Sequence, residues 1–304
     1  MTNLENKFYA KAISNNETSY DTNTVSVLTE GNTRLTMRIK KAEKLQLNAV
    51  FYFEVEEIIF NENPQFLITS YENIDAKEIE LEKRQALMTC FYDYAPLPIS
   101  EIKAIVESYL NKIQNTVIKD IVMYLYEARK KEFYLYPAAT KLHHAYISGL
   151  SYHTSTMLKL IDGFKEIYPF LNEDLLIAGV FLHDICKVKE LSNYAGPEYT
   201  KEGKLLGHIT MGVKAIETTA LALGHIETEE KMLLQHMVLS HHYYGNYGSP
   251  KKPNIPEALI LHFIDNIDSK MTALSDALDV VQPGEFTQPI SVLDRERYYK
   301  TKIQ

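Results

Sequence analysis

From Thr33 to Lys40 the chain alternates cleanly, with Leu35, Met37 and Ile39 on one side and Arg34, Thr36, Arg38 and Lys40 on the other. A period of two is the signature of a half-buried strand. Val50 to Phe60 is aromatic and β-branched, and Asn61-Glu62-Asn63-Pro64 supplies a turn before a further strand at Phe66 to Thr69. Val25 to Leu28 adds a fourth strand. Several short strands joined by polar turns predict a small β-barrel or sandwich.

The pattern then changes period. Asp75 to Cys90 is charged and helix-prone, and Phe91 to Ser100, with Pro96 and Pro98, reads as a linker. Ser100 is the expected N-cap of the next helix. Ile102, Ile105, Val106, Tyr109, Leu110 and Ile113 follow at helical spacing, and Ile118, Ile121, Val122 and Leu125 repeat the stripe. Helix-period segments continue almost to the C-terminus, broken at Ala195-Gly196-Pro197 and between Gly245 and Pro253. The expected class is α+β: a β-rich domain over residues 1–90, then an all-helical domain over residues 91–304.

Composition narrows the function classes. The 304 residues are 45% hydrophobic and 24% charged, which suits a folded domain with a sizeable core. No apolar run approaches the ~18–20 residues that span a bilayer, and Met1 to Lys7 lacks the features of a signal peptide. Only Cys90 and Cys186 occur, which excludes a disulfide framework or a cysteine-rich zinc site. A cytoplasmic location without membrane contact is expected. The net charge of −8 argues against a surface that coats nucleic acid, because such binding rests on phosphate neutralisation. Charge does not distinguish the two parts: residues 1–76 and the remainder each carry −4.

The chemistry centres on Phe181-Leu182-His183-Asp184-Ile185-Cys186-Lys187. Asn172 can cap this helix, Glu173 and Asp174 fill its first turn, and the rest is apolar. Adjacent His and Asp at the end of a buried helix are unfavourable unless something binds them. Imidazole nitrogen with carboxylate oxygen suits Zn, Mn, Fe or Co. Lys187 lies one turn after His183, where a cation can hold a phosphate oxygen. The companions are His153 upstream, His208 after Gly207 at an expected helix start, His241-His242 at the end of a helix beginning near Glu229, and Asp265 in an otherwise apolar helix. Each sits on its own helical segment. No Ser, Cys or Thr occupies a recognisable nucleophile motif, so a metal-activated water is the simplest route to hydrolysis. Spacing alone supports a metal-dependent phosphohydrolase.

The order His, His-Asp, His, His-His, Asp resembles the HD superfamily of metal-dependent phosphohydrolases. The flanking words are similar to one branch, the YhaM-type 3′→5′ exoribonucleases. They are His143-His144-Ala145-Tyr146, Gly149-Leu150, Tyr152-His153-Thr154, Gly207-His208-Ile209, Leu239-Ser240-His241-His242, Tyr247-Gly248-Ser249-Pro250 and Asp265-Asn266-Ile267-Asp268-Ser269-Lys270-Met271. The match covers roughly residues 91–285. The resemblance implies that His153, His183, Asp184 and Asp265 are the core metal ligands, and that His208, His241 and His242 serve a second metal bridged by Asp184. It implies that Lys187 contacts the scissile phosphate and that an OB-type nucleic-acid-binding domain precedes the HD domain. The cofactor expected is a divalent metal, Mn2+ first among Fe, Co, Ni and Zn, as one or two ions. The activity implied is 3′→5′ hydrolysis of single-stranded RNA, or of single-stranded DNA, to nucleoside monophosphates.

Further residues are weighed individually. His144 is a substrate contact or a packing residue. Tyr243, beside Tyr244 and Tyr247, is the preferred base-stacking residue, and Lys251 and Lys252 are candidate grips on RNA phosphates. His236 and His262 read as core histidines, Cys186 as a small buried residue, and Arg129-Lys130-Lys131 as a solvated helix end. Homo-oligomer assembly is plausible. Two rivals stay open: a nucleotidase or deoxynucleoside triphosphate hydrolase of the same superfamily, and a nucleic-acid-binding protein without turnover.

Overall fold

Five strands close into a barrel in the first part of the chain: β1 (Lys7–Asn16), β2 (Thr22–Thr29), β3 (Arg34–Lys40), β4 (Val50–Phe60) and β5 (Asn63–Asn73). The computed structural model describes residues 6–140 and 144–303. Neighbours run β1-β2-β3-β5-β4, and β4 pairs back onto β1. All pairs are antiparallel except β3 with β5. A five-stranded closed barrel with this order is the OB-type arrangement. Inward positions follow the period of two: Ala10 and Ala12 on β1, Val25 and Val27 on β2, Met37 and Ile39 on β3, and Phe51, Phe53 and Val55 on β4 form one buried cluster. Register shifts at Ala12/Ser14 on β1 and at Glu54/Val55 on β4 mark irregularities of the kind that bend strands toward closure.

Two sequence expectations change here. β1 was not predicted, because its interior positions are alanines between Phe8, Tyr9 and Lys11 and carry little strand propensity. Arg38, expected to face solvent, is buried: Nε donates to Gln65 at 2.8 Å, Nη1 donates to the Thr22 hydroxyl at 2.7 Å, and the guanidinium covers the Phe60 ring. A 3-10 turn at Ile74–Ala76 and helix α1 (Leu81–Met88) close this unit. Arg84 of α1 is buried against the Ile74 carbonyl and the Asp75 carboxylate.

The chain divides into two units, Met1–Tyr94 and Ala95–Gln304. The second is helical: α2 (Ile99–Leu110), α3 (Thr116–Leu135), α4 (Gly149–Ile167), α5 (Glu173–Leu182), α6 (Lys187–Glu190), α7 (Lys201–Leu223), α8 (Glu229–Ser240) and α9 (Pro256–Asp279). α2 starts at Ile99, not after Ser100. Proline at 98 has no N–H to place in the helix, and its carbonyl accepts from the amides of Glu101 and Ile102. α5 lies at the centre, with every residue from Leu175 to Leu182 buried. Its start is capped as expected, the Asn172 side chain accepting from the Leu175 amide at 3.0 Å. The helical pattern ends at Asp279. Beyond it the chain forms an isolated bridge between Phe286 and Tyr299, so the expectation of helix almost to the end does not hold. Among the described residues no helix is long and apolar enough to cross a membrane.

Candidate metal centre

α5 ends in a tight turn that presents His183 and Asp184, both buried, toward the last turn of α8 and the middle of α7. The His183 Nδ1–H donates to the Val180 carbonyl at 2.8 Å. Nε2 is therefore a lone-pair acceptor, and it faces Asp184 Oδ2 at 3.3 Å. His241 repeats the device: Nδ1–H donates to the Val238 carbonyl at 2.7 Å, leaving Nε2 to face Asp184 Oδ1 at 4.0 Å. His183 Nε2, His241 Nε2, His208 Nε2 and Asp184 Oδ1 are all buried without a hydrogen-bond partner among the described residues. Four acceptors turned toward one another are repulsive unless a cation lies among them. The residues present therefore fit a divalent metal, and an N/O donor set without thiolate suits Mn, Fe, Co, Ni or Zn.

His208 was expected at a helix start. It does open a helical segment: α7 breaks at Gly207, whose φ of 70° and ψ of 158° belong almost only to glycine, and His208 begins the second half. The break turns the His208 amide onto Glu190 Oε1 at 3.0 Å, while Nδ1 sits 3.1 Å from both Glu190 oxygens. Glu190 can lie this close because a Cβ on Gly203 would collide with the Glu190 carbonyl. With Nδ1–H given to Glu190, His208 Nε2 points at Asp184 Oδ1, 3.3 Å away. Asp184 thus turns one oxygen to His183 and the other to His208 and His241. The His242 ring lies beside both, with centroids 4.0 Å from His241 and 5.4 Å from His208.

α4 and α9 supply the other wall. His153 Nε2 lies 3.3 Å from Asp265 Oδ1, and the His153 and His183 rings are 5.4 Å apart. Nδ1 of His153 donates to Asp268 Oδ2 at 2.6 Å. Asp268 also accepts from His144 Nε2–H at 2.8 Å, and His144 Nδ1 pairs with the Tyr146 hydroxyl at 2.8 Å. This chain fixes the His153 tautomer and aims its second nitrogen at the site, the usual carboxylate–histidine support of a metal ligand. The substrate contact expected of His144 is corrected: the ring is completely buried behind His153 and supports it. His143 lies outside the described residues.

The charge states suit ligation. Burial opposes ionisation of Asp184, but the Lys187 ammonium beside it, foremost, holds its carboxyl well below the usual range. Asp265 and Asp268 are likewise held low against burial, chiefly by hydrogen bonds from His153 and, for Asp268, from His144 first. Burial, reinforced by His242 and His183, keeps His241 neutral. Burial disfavours charge on His153, yet Asp265 and Asp268 lift its pKa to about 10, so without metal the protonated ring donates one N–H to each carboxylate.

A cavity of about 420 Å³ opens over the centre, lined among others by His153, Asp184, Lys187, His242, Tyr244, Asp265 and Lys270. Lys187 Nζ lies 2.7 Å from Asp184 Oδ2. An apolar groove of about 570 Å³ continues from it past Asn266 and Lys270, between Phe164, Phe263, Met271 and Tyr298. Tyr244, half exposed, lines the cavity, whereas Tyr243 stacks on Tyr244 and His262 outside that lining. Lys251 and Lys252 are exposed and also outside it, Lys252 resting over the Tyr243 ring. Sequence reasoning missed Asp268, Glu190, Lys270 and the cavity-lining role of His262. The available signal was helical: Asp268 is three residues after Asp265, and Glu190 three after Lys187.

A family model described as HD domain matches residues 150–270. The chain is 45% identical over 210 residues to a Bacillus subtilis (strain 168) protein named 3′-5′ exoribonuclease YhaM, covering 69% of this chain and 67% of that protein. It is 48% identical over 210 residues to the protein of that name from Geobacillus sp. (strain WCH70), covering 69% and 64%. For Bacillus pumilus (strain SAFR-032) the figures are 44% over 219 residues, 72% and 69%. The match thus spans about two thirds of each relative's length.

Proposed function

The chain belongs to the YhaM 3′-5′ exoribonuclease family, and from that premise we propose that it removes nucleotides from the 3′ end of single-stranded RNA. The reaction is hydrolysis of the phosphodiester bond by water, releasing nucleoside monophosphates. The observation that carries the reading is the set of four buried, unpartnered acceptors on His183, Asp184, His208 and His241 beneath a cavity bearing Lys187 and Lys270.

His153, His183, Asp184 and Asp265 would hold one divalent ion, and Asp184 with His208, His241 and His242 a second; Mn2+ is the ion proposed. Such an ion, when bound, lowers the pKa of its water from 15.7 toward roughly 7 and neutralises charge at phosphorus. Lys187 meets a non-bridging phosphate oxygen while still holding Asp184 in place. Lys270 holds the next phosphate toward the apolar groove. Tyr244 stacks on a base, which tolerates any sequence. The proposed RNA path uses the helical unit, where the cavity and its lysines lie. A cytoplasmic site of action fits the two free cysteines.

The test uses RNA labelled at the 5′ end and, separately, at the 3′ end, with deoxynucleoside triphosphates in parallel, in Mn2+ and in EDTA. Stepwise shortening of 5′-labelled RNA with immediate release of 3′ label, only in Mn2+, is expected. Turnover of free nucleotides alone would replace this reading with the nucleotidase one.

A further inference from the structure

Arg129 does not behave as part of a solvated helix end. Lys130 beside it pairs with Glu107 and Glu127 at 3.1 and 3.3 Å. Arg129 Nε is buried with no hydrogen-bond partner among the described residues. It borders a cavity of about 90 Å³ between α3, α6 and α7, whose charged lining is Arg129, Lys189, Lys214 and Glu202, with Cys186 also in its wall. Among the described residues, none of the three cations is paired with a carboxylate within 4.0 Å. A water needs roughly 10–15 Å³ on this measure, so the cavity admits a small oxyanion with some of its hydration.

We propose that this cavity binds a phosphate dianion. Three cations against one carboxylate leave a surplus of two positive charges, which matches a phosphate monoester or inorganic phosphate at neutral pH. Arg129 supplies the planar donor fork that suits phosphate, and its Nε–H gains the acceptor it lacks. Lys189 and Lys214 close over it as point charges. The site is separate from the metal centre but shares its scaffold: Cys186 follows Asp184 by two residues, α6 carries Lys187 and Glu190, and α7 carries His208. An anion bridging α3, α6 and α7 pins the elements that aim those side chains. Its dianionic group comes either from inorganic phosphate or from a nucleoside 5′-monophosphate; only the link to the latter as reaction product rests on the function proposed above.

The test is calorimetric titration of the manganese-loaded full chain with inorganic phosphate and, separately, with adenosine 5′-monophosphate. The variants are Arg129→Gln, Lys214→Gln, the exposed control Lys204→Gln, and Lys187→Ala in the metal centre. A phosphate-binding event weakened about tenfold or more by either Arg129→Gln or Lys214→Gln, unchanged by Lys204→Gln, and distinct from any event at the metal centre that is lost in Lys187→Ala, is expected. Lys214 is exposed, so its variant stays folded and guards against misreading an unstable Arg129 variant. Adenosine monophosphate binding with the same dependence identifies the product as a source; phosphate binding alone identifies the free anion. Isotherms of Arg129→Gln and Lys214→Gln that superimpose on wild type, or binding abolished by Lys187→Ala, would overturn the proposal. Neither result bears on RNA hydrolysis, which is measured separately.

Discussion

The Asp268 carboxylate lies 2.6 Å from His153 Nδ1 and so decides which nitrogen of that imidazole faces Asp265 and the candidate metal centre. The same oxygen takes the Nε2–H of buried His144, so two histidines on different segments depend on one acid.

Asp268→Asn keeps the shape and one acceptor oxygen but removes the negative charge that the His153 and His144 N–H groups share. Loss of such a supporting carboxylate lowers metal affinity by about 10–100-fold. Competition against a fluorescent chelator measures this, with circular dichroism to show an unchanged helical signal. Affinity equal to wild type would show that the His144–Asp268–His153 chain does not orient the ligand.

His153 sets a pH dependence. Its pKa is raised to about 10 in the metal-free protein because Asp265 and Asp268 outweigh burial. A raised value means stability that is complete below the unfolded value of about 6.5 and is lost as pH rises through the folded one. The melting temperature of the metal-free chain should therefore fall between pH 7 and the folded pKa of about 10 more steeply than that of the metal-loaded chain, in which metal has replaced the proton. Metal uptake at pH 8 should release about one proton per chain from this residue, read by calorimetry in buffers of different ionisation enthalpy. Zero release would place the proton elsewhere.

Lys187→Ala removes the cation beside Asp184 but no ligand atom. Turnover on RNA should drop roughly 10²–10³-fold, the usual loss for one preorganised charge-stabilising donor. Metal content should hold. Metal loss in this variant would mean that Lys187 maintains Asp184 and not the phosphate.

Gly207→Ala forces a side chain into φ 70°, ψ 158°. The strain is about 1–3 kcal/mol, seen as a lower melting temperature, and relief of the break swings His208 away from Glu190. Reduced metal stoichiometry should accompany the lower stability; an unaffected metal site would show that the break is not what places His208.

Much of this was legible in the chain. β3 and β4 were readable because bulky residues alternate or cluster there, and β4 has the predicted bounds, Val50–Phe60. β1 was not, since Ala10 and Ala12 are too small to mark a buried face. The convergence of the candidate ligand residues was readable because adjacent His and Asp in an apolar helix need a partner. Asp268, Glu190 and the fate of His144 were not, because which side of an imidazole a carboxylate meets depends on how α4, α6, α7 and α9 pack. Arg129 was misread for the same reason: a basic triplet, expected at a helix end but lying inside α3, gives no sign that one of its members turns inward.

The central claim is that Asp184 sits at the heart of a divalent metal centre. Elemental analysis of purified wild type and Asp184→Ala tests it most directly. A bound divalent ion in wild type, absent from a variant with the same helical signal, is the result predicted. Equal metal content in the two proteins, or a wild type that takes up no divalent ion from manganese-containing buffer, would contradict it.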